Sequence, residues 1–283
     1  MTSSPHEGKL ILVLGGTGKT GRRVVERLRA RDIPTRVGSR SGQPPFDWND
    51  QATWAPALHD VGAVYVTYYP DLAIPGAPEA VRAFAEAAIE QGVRRCVLLS
   101  GRGEEEAQRA ERLVQESGAD WTIVRCAWFM QNFSEDYLVD PVRSGEVVLP
   151  AADKPEPFVD ADDIADVAVA ALTDDRHIGE LYELTSPRLL TFGDAVAEIA
   201  KATGRDISYV PVSVEDYAAG AAEHNVPEEF VDFLSYLFSD VLGNNAYLTD
   251  GVQRALGCQP RDFADYARAT AATGVWDAPA TDA

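Results

Sequence analysis

The stretch "LILVLGGTGKTGRRVVERLRA", Leu10 to Ala30, constrains the fold more than any other part of the chain. A short apolar run, Leu10–Leu14, ends in glycines, and Gly21–Arg31 follows with helical spacing. Gly15, Gly18 and Gly21 lie between them in the pattern G-x-x-G-x-x-G. A chain that turns this tightly from strand to helix needs residues without Cβ, and the helix N-terminus then faces whatever rests on the turn. Backbone N–H groups and the positive end of the helix suit a pyrophosphate, so the loop reads as a dinucleotide site that also uses Thr17, Lys19, Thr20 and Arg22. The alternative is a glycine turn that serves only helix–strand packing. The loop is not a P-loop, because "GGTGKTG" lacks the longer gap before G-K-[ST].

The same alternation continues along the chain. Thr35–Ser39, Ala63–Thr67, Arg95–Ser100 and Trp121–Cys126 read as strands, with helices at Pro78–Gln91 and Glu104–Glu116. Apolar runs this short, alternating with amphipathic helices, give a parallel sheet covered on both faces. The expected fold class is α/β, a Rossmann-type doubly wound parallel sheet with a smaller, mostly helical C-terminal substrate domain. Residues 1–150 form the nucleotide-binding domain, 155–185 return to it, and 186–283 make the smaller one. Within these, a helix at Ile164–Leu172 starts at "DADD", where Asp163 or a neighbour would cap it. Leu181–Leu184 reads as a late strand, and Phe192–Thr203 as a helix ended by Gly204. From Ser213 the chain is helix-rich and carries Phe230, Phe233, Tyr236, Phe238 and Tyr247. The first eight residues and the final "APATDA" read as frayed ends.

Composition removes several function classes. Among 283 residues the net charge is −20, which repels phosphate backbones and anionic lipid. Neither a nucleic-acid partner nor a membrane is expected, whereas a nucleotide bound locally by backbone dipoles is not excluded. No apolar run approaches the ~18–20 residues that cross a bilayer. The N-terminus has no basic and apolar leader pattern, so a cytoplasmic protein is expected. Cys96, Cys126 and Cys258 are odd in number and scattered, as reduced thiols are. His6, His59, His177 and His224 show no metal-ligand spacing, and no metal is expected.

An NAD site places an acid at the end of the second strand, roughly 20 residues after the glycines, to bind the ribose 2′-hydroxyl. This strand ends "TRVGSRSG", with Ser39 and Arg40 in that place and Arg22 beside the last glycine. A guanidinium there favours a 2′-phosphate, hence NADPH over NADH, although NADH remains possible. "FDWND" (Phe46–Asp50) follows where a loop often covers the adenine. Asp47 would accept from the adenine amino group, and Trp48 would either cover the base or pack.

"GGTGKTG", the basic strand end at Arg40, "SGADWTIVRCAWFMQNF" and "PFVDADDIADVAVAAL" together resemble the NmrA-like atypical short-chain dehydrogenases. The resemblance runs across nearly the whole chain, including "LYELTSPRLLTFGDAVAEIAKATGR". It is nearest to a branch similar to the ergot-alkaloid reductases, which reduce iminium ions. Other branches are quinone, azo-dye and triphenylmethane reductases and NADP-binding redox regulators. The resemblance implies that Trp128, Phe129, Gln131 and Asn132 flank the nicotinamide and substrate. Two positions depart from the family: Cys126 stands where proline is usual, and Gln108 falls near a common histidine or lysine.

Ordinary short-chain dehydrogenases pass a proton through Tyr-x-x-x-Lys. Here Lys9, Lys19, Lys154 and Lys201 follow Pro5, Gly15, Pro150 and Ala197 by four residues, so no such pair exists. Hydride delivery to a simple ketone creates a strongly basic alkoxide, whereas a quinone yields a weaker base and an iminium a neutral amine. The expectation is therefore an NAD(P)H-dependent reductase of a planar conjugated molecule, a polycyclic quinone or an iminium, in secondary metabolism. Redox isomerisation or coupled oxygenation of such a molecule stays open. So does an NADP(H)-binding sensor that acts through a protein partner with little turnover.

Ligands of open α/β sheets gather at the C-terminal strand ends. That places Thr67, Tyr68 and Tyr69, then Ser100, Gly101 and Arg102, around the cofactor, with Tyr69 also toward substrate. Tyr68 is the candidate proton donor and Asn132 the second candidate catalytic group. Phe233 and Tyr236 would line the substrate, or belong to an aromatic core. "EEEAQRAERL" (Glu104–Leu113) reads as the solvated start of a helix.

Overall fold

The computed structural model describes residues 10–223 and 227–278. In chain order β1 (Leu10–Leu14), α1 (Lys19–Arg29), β2 (Thr35–Gly38), α2 (Trp54–Leu58) and β3 (Val61–Val66) come first. Then follow α3 (Ala77–Glu90), β4 (Arg95–Gly101), α4 (Glu105–Glu116), β5 (Asp120–Cys126), α5 (Asn132–Glu135) and α6 (Val139–Ser144). Next are β6 (Glu146–Leu149), α7 (Ala161–Thr173), β7 (Glu180–Leu184), α8 (Phe192–Thr203) and β8 (Ser208–Pro211). The chain closes with α9 (Val214–Glu223), α10 (Glu228–Tyr236), α11 (Gly251–Leu256) and α12 (Phe263–Ala271).

Six strands form one parallel sheet in the order β2-β1-β3-β4-β5-β7. The order reverses beside β1, which pairs with both β2 and β3, and such a switch point opens a crevice at the strand ends. β3 reads "VGAVYV" and is buried at every position, as a strand covered on both faces must be. On one face Leu12, Leu14, Val64, Val66 and Leu98 meet Trp54 and Phe84 in a single cluster. Elsewhere in this unit α1 meets α7 through ion pairs: Arg27 Nε reaches Asp166 Oδ1 at 2.6 Å, and its Nη2 reaches Asp162 Oδ1 at 2.6 Å.

Compact units do not follow the expected boundaries. The first unit runs to Cys126 and takes in Ala161–Leu184 and Asp250–Gln259; the second comprises Ala127–Asp160, Thr185–Thr249 and the chain from Pro260. The chain leaves the sheet at Cys126, and Phe129 then pairs with Val159, which holds 127–160 together as its own segment. Residues 250–259 return because Gly251 packs its bare Cα on the Glu183 backbone, where a Cβ would fall 2.2 Å from the carbonyl oxygen. The second unit is not purely helical: β6 and β8 form a two-stranded parallel sheet. Its core is aromatic, with Phe133, Phe158, Phe192, Phe238, Phe263 and Trp276 all buried.

Local signals place most ends within a residue or two. α1 begins at Lys19, before the expected Gly21, and ends at Arg29. β2 stops at Gly38, and β3 spans Val61–Val66, leaving Thr67 just past its end. α7 begins at Ala161, so Asp163 lies buried in its first turn, two residues inside the helix. α8 spans Phe192–Thr203 with a Thr191–Asp194 capping box, and Gly204 ends it at φ +67°. His6, His224 and the frayed ends, apart from Ala278, lie outside the described residues, as does the Phe230 side chain.

One clamp in the second unit gives a test. Arg188 grips Asp262 with Nε–Oδ2 2.7 Å and Nη2–Oδ1 2.9 Å, and also reaches Glu198 Oε1 at 3.0 Å. Asp262 caps α12 by accepting from Ala264 N at 2.8 Å. The Arg188 hydrogen bond is the main cause that holds the Asp262 carboxyl below its ordinary range. A depressed folded-state pKa contributes stability above the unfolded-state value, and that contribution fades as pH falls through the folded value. Asp262→Ala is expected to cost about 1–2 kcal/mol at neutral pH. The deficit should shrink in acid, as measured by thermal melts of both proteins across pH.

Candidate functional site

The glycine loop is held shut by contacts that only glycine permits. Gly15 sits at φ +60°, and a Cβ on it would lie 2.4 Å from Thr67 Oγ1. Thr67 Oγ1 donates to the Leu14 carbonyl at 3.2 Å, which fixes that hydroxyl beside the turn. Gly15 N donates to Gly38 O at 3.0 Å, and Gly18 N to Gly15 O at 2.8 Å. Gly21 presses its bare Cα on the Gly15 carbonyl, where a Cβ would come within 2.2 Å of the oxygen. This approach brings the first turn of α1 over the end of β1. Gly18 is the N-cap, with no side-chain cap and no acid in the first turn, so the positive end of α1 faces the loop without a competing carboxylate. The cradle fits a dinucleotide pyrophosphate.

Beyond β2, the Ser39 carbonyl accepts from Gly42 N at 3.0 Å and from Phe46 N at 2.9 Å, closing a compact loop. Arg40 projects from it exposed, and makes no ion pair among the described residues. Asp47 is partly engaged in its own turn: Oδ1 accepts from Asn49 N at 3.0 Å, and its carbonyl accepts from Trp54 Nε1 at 2.9 Å. Trp48 is committed to packing. Its ring meets Phe46, Trp54, Tyr68 and Phe84, and its Nε1 donates to Thr67 O at 3.1 Å.

Tyr68 tilts against Trp48 with centroids 4.9 Å apart, and burial raises its pKa. That shift makes it a weaker acid, so the structure gives the expected proton donor no activation. Tyr69 is largely exposed.

At the ends of β4, β5 and β7 an ionic chain runs through the expected Ser100 and Arg102. Ser100 Oγ donates to Glu111 Oε1 at 2.6 Å, and Arg125 Nε donates to the same oxygen at 2.9 Å while its Nη2 holds Oε2. Arg125 Nη1 reaches Glu183 Oε2 at 3.3 Å, and Arg102 Nε reaches Glu183 Oε1 at 2.7 Å. Glu111 is buried, which corrects the expectation that Glu104–Leu113 is a solvated helix start. The sequence signal was present in the spacing: Glu111 falls on the α4 face that carries the buried Ala107, Ala110 and Val114. Cys126 is buried, donates weakly to Val124 O at 3.6 Å, and has its thiol pKa pushed well up by burial. It is a packing thiol.

The remaining expected residues belong to the second unit. Trp128 packs edge-on to Phe192 and tilted on Phe238, with centroids 5.3 and 5.0 Å away. Phe129 bridges to Val159. Gln131 is buried and donates from Nε2 to Asp160 Oδ1 at 2.8 Å. Asn132 opens α5 and is partly exposed. Phe233 and Tyr236 lie partly exposed on α10, whereas Phe238 is core. No group of His, Cys, Asp and Glu among the described residues could hold a metal ion. No helix among them is long and apolar enough to cross a membrane.

Sheet order, glycine cradle and a helix N-terminus without a side-chain cap define a Rossmann-type dinucleotide-binding protein. Residues 45–175 match a family described as NAD(P)H-binding. The chain is 33% identical to agroclavine dehydrogenase of Claviceps fusiformis over 278 residues, covering 90% of this chain and 95% of that one. Among solved structures it is similar to the NADPH-bound quinone oxidoreductase of Escherichia coli, with TM-score 0.77, 20% identity and coverage of 91% and 98%. It is also similar to NmrA, a negative transcriptional regulator, with TM-score 0.70, 16% identity and coverage of 94% and 98%. The chain belongs to the NmrA-like atypical short-chain dehydrogenases, and is an NAD(P)H-dependent oxidoreductase.

Gly21→Ala should force the loop open, since backbone stands in the way of the new methyl. NAD(P)H affinity is expected to fall at least about tenfold, about 1.4 kcal/mol. Nucleotide fluorescence titration measures this, with circular dichroism to confirm the fold.

Proposed function

We propose that the protein is an NADPH-dependent reductase that delivers hydride to a planar conjugated small molecule, a polycyclic quinone or an iminium, in secondary metabolism. The observation that carries the cofactor half is the glycine cradle with Arg40 exposed beyond β2, where no acid stands to bind a free 2′-hydroxyl. A guanidinium in that place pairs with a 2′-phosphate by charge-assisted hydrogen bonds. Reduced nicotinamide, when bound, supplies a hydride and its electron pair.

The chain's own residues do the rest. The N-terminus of α1 holds the pyrophosphate, and Thr67, fixed to Leu14 O, shapes the turn from the next strand. The absent Tyr-x-x-x-Lys pair supports acceptors whose reduced form is a weak base or a neutral amine. For an iminium, rate comes from alignment of donor and acceptor and from exclusion of water, and a conjugated carbonyl asks less of an acid than a simple ketone does. The relative from Claviceps fusiformis is named a dehydrogenase of agroclavine, in keeping with nicotinamide chemistry on a small molecule. Trp128, Phe233 and Tyr236 are proposed to present aromatic surface to such a molecule.

The test is loss of reduced-nicotinamide absorbance with NADPH and NADH against quinones and iminium ions. Turnover of one class with NADPH preferred is expected, and Arg40→Ala should reduce that preference about tenfold or more. Tight NADPH binding without turnover of any acceptor would replace this reading with a sensor that signals through a protein partner.

A further inference from the structure

Glu104 follows the short turn after β4, and its carbonyl opens α4 by accepting from Gln108 N at 3.0 Å. Its side chain folds back over Gly101, the last residue of β4. A Cβ built on Gly101 would fall 2.2 Å from Glu104 Oε2 and 2.6 Å from Oε1. The missing side chain at 101 is what lets a carboxyl rest on the end of β4, the edge of the sheet where ligands of this fold gather. Among the described residues nothing donates a hydrogen bond to that carboxyl.

The charged and titratable groups around it are Asp71 from the loop after β3, Glu111 from α4 and Cys126 from the end of β5. Burial, then the charges of Asp71 and Glu111, push the Glu104 carboxyl well above the usual carboxylate range. Its neighbours are already engaged. Asp71 accepts from Ala73 N at 2.8 Å, and Glu111 is held by Ser100 and Arg125. Arg102, which faces Cys126, is bound to Glu183.

We propose that Glu104 is the proton donor of the reductase, passing its carboxyl proton to the oxygen of a conjugated carbonyl acceptor held over the end of β4. This rests on the reductase reading above. The acceptor gains a hydride with its electron pair from reduced nicotinamide, which is oxidised, and the displaced π electrons move onto the carbonyl oxygen. The Glu104 O–H bond breaks as the new O–H bond forms, leaving a carboxylate that takes a proton from water before the next turnover. A carboxyl whose proton is held more firmly by burial and like charges can do what the missing tyrosine does elsewhere. An iminium acceptor ends as a neutral amine and needs no such proton.

The experiment compares wild type, Glu104→Gln, Glu104→Asp and Gly101→Ala with NADPH, a conjugated ketone or quinone, and a stable cyclic iminium. Glu104→Gln should lose about 10²-fold or more in kcat on the carbonyl acceptor, within the range for general acids. Its NADPH affinity by fluorescence should hold, and iminium reduction should change far less. Glu104→Asp should recover part of the loss. Gly101→Ala, which keeps the carboxyl but displaces it, should fall in the same direction. Wild-type kcat on the carbonyl acceptor should decline as pH rises through the Glu104 ionisation, and the glutamine variant should lack that limb. Without nucleotide, carbon NMR of the wild type should show one glutamate carboxyl titrating above the ordinary range, absent from Glu104→Gln.

Carbonyl reduction within about twofold of wild type in Glu104→Gln, or no high-titrating carboxyl, overturns the proposal and leaves the reductase standing. Reduction of the iminium alone by wild type has the same meaning. No turnover of any acceptor by wild type overturns both.

Discussion

The contact on which the site depends is that between Gly21 and the Gly15 carbonyl. No other residue type allows a helix to lie this near the end of the preceding strand, and a methyl at 21 would meet backbone, which cannot swing aside. Because Gly15 is in turn set against Thr67, the loop is fixed from β1, α1 and the end of β3 together. The loop and the first turn of α1 are therefore set by contacts within the protein itself.

A second constraint lies at the ends of β4, β5 and β7. Two arginines and two glutamates, Arg102, Arg125, Glu111 and Glu183, alternate in sign along a partly buried chain closed by the Ser100 hydroxyl. Taking such charges out of water is costly, and the return depends on the hydrogen bonds each makes. The chain spans three neighbouring strands and so ties their register to one electrostatic pattern. It also decides which groups are left for chemistry. Ser100 and Arg102 are occupied in the network, whereas the Glu104 carboxyl stands apart from it.

Much of the first unit was legible in the sequence because strand and helix signals there are local. Leu10–Leu14 and Phe192–Thr203 match residue for residue, since a glycine turn and a capping box mark their ends. The short strands β6 and β8 were not legible. Val147 and Leu149 are buried while Val148 is exposed, a pattern too brief to stand out, and β8 has its partner some sixty residues earlier, as the pairing of Glu146 with Ser208 records. The unit boundary was misplaced for the same reason: that 250–259 returns to the sheet depends on Gly251 meeting Glu183, which no local pattern encodes.

By itself the sequence determined the alternating α/β order, the glycine cradle, the basic residue after β2 and the absence of the tyrosine–lysine pair. Each of these is a property of neighbours along the chain. Tertiary structure alone decided that Trp48 packs, that Tyr68 is a weakened acid, that Cys126 is shielded and that Glu111 is buried in an ion network while the Glu104 carboxyl rests among other acids. The physical reason is that acidity and reactivity follow from burial and from charges brought near in space. The carboxylate that raises the Glu104 pKa from outside its own helix comes from Asp71, on a different loop.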